Sequence, residues 1–310
     1  EHGAGMVWAA VMGVFLQMWI NFEIGRWTIA TGETVYTGYS RVWRWFGPMF
    51  ILFNVLGWLA PGWGRASGLA LKALIFDPHW HQTQVDGKWV ATDFFGMDTF
   101  WTMLTFAIVA LVLFGPKVVY KSVERTVEVL IVLITVGLIV VAFAVGTADH
   151  WVEMGKGLVN VGHISEGMDV KALFIAIVFA GAGGTANLFY TFYLRDKHIG
   201  MGARIPEMHN PLRDRVEKAP TTGYTFDETP ENAGRFRKWW RYVMADQATF
   251  FFGLNCVTML LFIFGALAVL HENGIIPSKG TLIWDEAEIL RDQWGKTGRT
   301  ISLVVAVATL

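Results

Sequence analysis

An all-α integral membrane protein is the fold class that this sequence predicts, on three observations. Apolar residues make up 54% of the 310 positions and charged residues only 16%, against roughly a quarter charged in an average soluble domain. Six apolar stretches meet the length of about twenty residues that a helix needs to cross a bilayer core, and a seventh begins. The chain holds 15 Trp and 23 Phe, and aromatics in such numbers gather at membrane–water boundaries. A formal net charge of −1 gives no global attraction to nucleic acid. Cys256 is the only cysteine, which excludes an internal disulfide framework and a cysteine-ligated metal cluster within the chain.

The expected spans are 6–24, 46–76, 99–115, 127–148, 172–194 and 248–270, with part of another from Thr300. The second is too long for one plain crossing and carries Pro61-Gly62-Trp63-Gly64 in its middle. Proline removes a backbone donor there, so a kink or short unwound turn is expected. Glu1-His2-Gly3-Ala4-Gly5 lacks a basic stretch ahead of an apolar core and does not read as a signal peptide. Both ends look cut, so residues 1–310 read as a fragment of a longer protein, a single transmembrane domain.

Alternation of the spans sets the sides. With Glu1 outside, the inside loops carry Arg26, Arg41, Arg44, Lys117, Lys121, Arg125 and the basic residues of 196–241 and its border, 16 of the 25 Lys and Arg. Positive residues mark the cytoplasmic side, so residue 1 is expected to be extracytoplasmic and 196–241 a long cytoplasmic loop, in a bacterial cytoplasmic membrane. Pro206, Pro211, Pro220 and Pro230 make that loop read as largely irregular. Its end, Arg235-Phe236-Arg237-Lys238-Trp239-Trp240-Arg241, reads as an anchor at the headgroups rather than a nucleic-acid site. Outside, Val85-Asp86-Gly87-Lys88 suggests a hairpin with Asp-Gly as the turn.

Little catalytic chemistry is written in the chain, and neither an enzyme nor a cofactor is expected. A transmembrane haem takes His or Met ligands within the spans, and all eight histidines fall in loops or at span ends. Asp77-Pro78-His79-Trp80-His81 has ligand-like residue types at a generic spacing, which reads as a solvated loop. The run from Gly25 to Thr34 lacks the Lys-Ser/Thr pair that grips phosphate.

The most informative segment is Phe179-Ala180-Gly181-Ala182-Gly183-Gly184-Thr185-Ala186-Asn187, in the middle of the fifth span. Glycines this dense, followed by Thr and Asn, make a continuous helix costly. Two readings stay open on spacing alone. An unwound stretch at the midplane can hold ions or substrate on freed carbonyls and half-helix ends, or the small residues can serve close helix packing. Gly181, Gly183, Gly184, Thr185 and Asn187 are the substrate-binding candidates. Polar residues within spans are costly and often functional, so Gln17, Asn21, Asn255 and Arg65 are candidates for lining a pathway, with Asn54, Lys72 and Thr258 also noted. Glu23 reads as a partner of Arg26 on the adjacent turn.

The order of these features resembles the Nramp (natural resistance-associated macrophage protein) metal-ion transporters, which have a LeuT-type fold. Phe22-Glu23-Ile24-Gly25-Arg26-Trp27-Thr28-Ile29-Ala30-Thr31-Gly32 is similar to that family's passage out of its second helix. Ser67-Gly68-Leu69-Ala70-Leu71 resembles the end of its third, and Ser122-Val123-Glu124-Arg125-Thr126-Val127-Glu128 the approach to its fifth. The glycine run with Asn187-Leu188-Phe189-Tyr190 sits where the family breaks its sixth. Arg241-Tyr242-Val243-Met244-Ala245-Asp246 and Val269-Leu270-His271-Glu272-Asn273-Gly274 resemble a divergent branch. The resemblance implies a partial LeuT-type helical bundle, without the family's first helix and its Asp-Pro-Gly-Asn motif or its last helices.

The departures bear on substrate. The family's methionine followed by Pro-His lines up with Gly184, Thr185 and Ala186, so the soft sulfur ligand and the histidine are gone. Acidic residues of its third helix line up with Gly62 and Arg65, and an arginine repels cations. The Gly181 carbonyl could still ligate, since a backbone oxygen needs no side chain. The implied function is secondary transport of a divalent metal ion or other small solute by alternating access, with the metal ligands unassigned. The alternative is a transport-inactive Nramp-like subunit with a structural or interaction role in a membrane complex.

Overall fold

The structure is a computed structural model, and it describes residues 4–58, 62–76, 79–85, 88–114, 119–165, 167–206, 220, 222–271 and 282–309. In chain order the helices are α1 Val7–Thr31, α2 Val35–Val42, α3 Phe46–Trp58, α4 Gly62–Ile75, α5 Asp98–Phe114, α6 Val119–Val145, α7 Ala148–Val159, α8 Val170–Phe179, α9 Tyr190–Asp196, α10 Pro230–Asp246, α11 Asn255–Ala266 and α12 Leu282–Thr309. Four helical stretches among the described residues, Val7–Thr31, Val123–Val145, Leu173–Asp196 and Pro230–Ala266, are long and apolar enough to cross a membrane. Phe46–Gly57 and Asp98–Phe114 are apolar but shorter.

Among the described residues, the expected six complete spans therefore come to four. The second, 46–76, is two helices, α3 and α4, and the third, α5, has 17 residues, short of the roughly twenty that a bilayer core takes. Pro61 lies outside the described residues, as do Glu1, Asp77, Pro78, Asp86, Gly87, Lys117, Arg213, Arg215, Lys218, Glu272, Asn273 and Gly274.

The chain folds as two compact units, one built from 60–151 and 261–310, the other from 2–59 and 152–260. In the first, α4 packs along α5, and α12 packs on α4 and α6. A Cβ at Gly68 would lie 2.6 Å from the Thr102 amide nitrogen, so α4 and α5 touch almost backbone to backbone, as small residues allow in membranes. Lys72 is fully buried in this unit and its Nζ donates to the Gly96 carbonyl at 3.2 Å. The expected hairpin forms from β1 Gln82–Val85 and β2 Lys88–Ala91, antiparallel with Val85 opposite Lys88. Beyond it, the His81 ring bonded to Asp93 holds that exposed carboxyl below the usual carboxylate range. Helix α12 is interrupted at Gly295.

Helix α1 is the axis of the second unit. Half of its apolar stretch is buried, against 11% for Pro230–Ala266, so most of the latter's apolar surface is left for lipid while α1 is core. The absent Cβ of Gly13 lets the Ile177 carbonyl of α8 approach, and a Cβ at Gly25 would meet Val243 of α10 at 2.6 Å. Ile29, Leu194, Ile199 and Val243 form one buried cluster here, and Ile24, Val35 and Leu188 another. Thr34 caps α2 by accepting from the Thr37 amide at 3.3 Å.

The corner between α1 and α2 also holds the end of the long loop. Buried Glu33 pairs with Arg41 and accepts from the Gly223 amide, while the Tyr224 amide donates to the Thr31 carbonyl at 2.8 Å. Thr229 then accepts from the Asn232 amide at 3.3 Å and Pro230 occupies the first turn of α10, a strong helix start. The irregular loop expected over 196–241 thus gives way to helix at Pro230.

Candidate functional site: a glutamine-braced break in the fifth crossing

Helix α8 stops at Phe179, and the chain resumes as a 3-10 segment, Gly184–Phe189, before α9. Gly183 and Gly184 adopt φ of +70° and +53°. That left-handed region costs an ordinary L-residue roughly 1–2 kcal/mol, so the break is encoded by these two glycines.

Gln17 of α1 braces the break. Its Nε2 donates to the Val178 carbonyl at 2.9 Å, and its Oε1 accepts from the Gly183 amide at 3.1 Å and from Asn187 Nδ2 at 3.2 Å. One side chain thereby serves the last turn of α8, the unwound stretch and the start of the next segment. Broken helices are tolerated at membrane depth when neighbouring groups satisfy the freed backbone, and Gln17 does so from a nearly fully buried position. A Cβ on Gly181 would lie 2.5 Å from Gln17 Oε1 and 3.1 Å from the Phe251 ring, so glycine is needed for the close approach. On the other side of the segment, Thr185 Oγ1 donates to Asn54 Oδ1 at 2.9 Å, and Asn54 Nδ2 to the Phe50 carbonyl at 2.7 Å.

One turn along α1, Asn21 starts a second chain of bonds. Its Nδ2 donates to Gln247 Oε1 at 2.8 Å, Gln247 Nε2 donates to Asp246 Oδ2 at 3.2 Å, and Tyr190 OH donates to the same Asp246 oxygen at 3.1 Å. Gln247 opens a π-helical turn, Gln247–Leu254, between α10 and α11, and such turns are frequent at functional sites. Two buried acceptors remain. Asn21 Oδ1 and Asn187 Oδ1 have no hydrogen-bond partner among the described residues, though these residues are only 2% and 5% exposed. Each unmet buried acceptor costs about 1–3 kcal/mol.

Of the residues expected from sequence, Gly181, Gly183, Asn187 and Gln17 come together, and Asn21 joins them through its helix turn. Thr185 is held by Asn54, and a Cβ on Gly184 would meet open space. Asn255 heads α11, where its carbonyl accepts from Thr258 at 3.1 Å. Arg65 belongs to the first unit, where it pairs with Asp98 at 3.0 Å with its side chain two-thirds exposed. Sequence reasoning missed Tyr190, Asp246 and Gln247. The available signal was the acid–amide pair immediately before the apolar run from Ala248, on the helical stretch Pro230–Ala266 that is long and apolar enough to cross a membrane.

Among the described residues no group of three or more His, Cys, Asp or Glu could hold a metal ion. His79 instead stacks on Trp89, with ring centroids 3.7 Å apart. No protein-family model, no curated protein and no solved structure matches the chain.

Proposed function

We propose that the chain is a secondary transporter of the Nramp-like, LeuT-type kind, moving a divalent metal ion or other small solute by alternating access around 181–187. The observation that carries this reading is the glycine break in an apolar crossing, braced by a buried glutamine rather than closed into helix. Carriers use such breaks because freed backbone groups near the midplane can hold a substrate and release it. The carrier works in a bacterial cytoplasmic membrane with residue 1 outside and 196–241 inside, the orientation that the Lys and Arg bias favours. With Gly184 and Ala186 where the family has methionine and histidine, hard ions or neutral solutes are better served than soft metals.

The test is flux. Full-length protein reconstituted in liposomes is expected to take up manganese, magnesium or a small solute, and Gly184→Leu is expected to abolish that uptake with expression preserved. A Cβ at this position meets nothing within 4 Å, while the backbone angle disfavours an L side chain, so a lost flux reports first on the break. Normal flux in Gly184→Leu would count against the site. No flux of any tested species, together with stable co-purification in a larger complex, would favour a structural subunit instead.

A further inference from the structure

The two bond chains close into a ring. Asn187 bonds Gln17, Gln17 and Asn21 share a face of α1 one turn apart, Asn21 bonds Gln247, Gln247 bonds Asp246, and Asp246 bonds Tyr190. Tyr190 lies three residues from Asn187, which returns the path to its start. The two unpartnered oxygens, Asn21 Oδ1 and Asn187 Oδ1, belong to this ring and have essentially no exposed surface.

The bond directions matter as much as the partners. Gln17 is held one way round because its carbonyl end accepts two N–H groups while its amide end meets a carbonyl. That leaves Asn187 its Nδ2 for Gln17 and its oxygen unpaired. Asp246 likewise orients Gln247, and Gln247 orients Asn21, each amide turning N–H toward the carboxylate and C=O away. Hydrogen bonds in series polarise one another, so the carboxylate makes Asn21 Oδ1 a more negative acceptor.

We propose that the ring binds a monovalent cation between the Asn21 and Asn187 side-chain oxygens, with Asp246 as its counter-charge across the Gln247 amide. Neutral hard oxygens suit an alkali ion. The charge count selects monovalent over divalent: a buried ion has to be balanced nearby, and Asp246 is the one acidic side chain in the ring. Such an ion would be a driving ion for the carrier proposed above, yet its binding does not depend on that carrier's substrate or on flux.

The experiment uses purified full-length protein in detergent, with thermal unfolding followed by tryptophan fluorescence in sodium, potassium or lithium chloride against choline chloride at equal ionic strength. A saturable rise in the unfolding midpoint is expected with a small alkali cation and not with choline. Asp246→Asn is expected to weaken the apparent affinity by about ten- to a hundredfold, the usual effect of losing an outer partner of an ion site. Asn187→Asp gives up the Nδ2 bond to Gln17 but brings a carboxylate to the site and is expected to tighten cation binding, which keeps the test usable if Asp246→Asn fails to fold. Midpoints that are the same in every salt, or an Asn21→Leu variant that keeps the full sodium response, would overturn the proposal and leave a water at the two oxygens. Flux without any cation-dependent shift sinks this site alone. A cation-dependent shift without flux of any solute sinks the carrier and spares the site.

Discussion

Gln17 spends all its hydrogen-bonding ends on the backbone and side chain of one broken segment, which makes it the residue with most to lose. Replacing it with an apolar residue strands the Gly183 amide, the Val178 carbonyl and Asn187 Nδ2 together. An orphaned buried group costs about 1–3 kcal/mol, so Gln17→Leu is expected to lower the thermal unfolding midpoint clearly in detergent. An unchanged midpoint would mean that these groups find water and that the brace is incidental. Gln17 is also recognisable beforehand as a polar residue in an apolar span. Asp246 and Gln247 offer a weaker signal, because in the chain they stand just ahead of the apolar run from Ala248 and resemble a loop's end.

At the scale of elements, the same logic explains how the end of the long loop is held. Glu33 sits at the α1–α2 corner with its carboxylate buried, satisfied by Arg41 from α2 and by the Gly223 amide. Breaking a buried, hydrogen-bonded charge leaves its partner uncompensated. Glu33→Ala is therefore expected to release 222–229 while α1 itself persists. Hydrogen exchange on peptides covering those residues should accelerate, and protection equal to that of the unmodified protein would remove Glu33 as the tether. The break between α8 and α9 is a second element-scale feature; in sequence it stood as one of two readings beside close helix packing, and the structure shows it. Gly181, Gly183 and Gly184 penalise continuous helix by composition alone, whatever packs on them. The helical start at Pro230 was equally available, from Thr229 as cap and Pro230 in the first turn, but the charged stretch that follows hid it among loop residues.

For the whole molecule, the long apolar helices, four among the described residues, define a protein that belongs in a bilayer, and orientation is the property that a simple measurement can check. Cys256 is the only native thiol, so a Cys256→Ser background carrying Asp227→Cys offers one reporter on the loop side. A membrane-impermeant maleimide is expected to label it in inverted vesicles and not in intact cells. Labelling of intact cells would reverse the assigned sides.

Composition and apolar run length were enough to determine that this chain is helical and made for a membrane, because the cost of exposing a peptide group to hydrocarbon admits few alternatives. The glycine cluster marked where a crossing could come apart, since backbone angles are a local matter, but left close helix packing equally open. How many helices are long enough to span, and which side chains meet at the break, was decided only in three dimensions. Partnerships such as Asn21 with Gln247 or Gln17 with Gly183 join residues separated by 226 and 166 positions. No local pattern encodes such a meeting. It follows from α1 packing against α8 and α10 at once, through glycines whose purpose is visible only when the neighbouring helix is there.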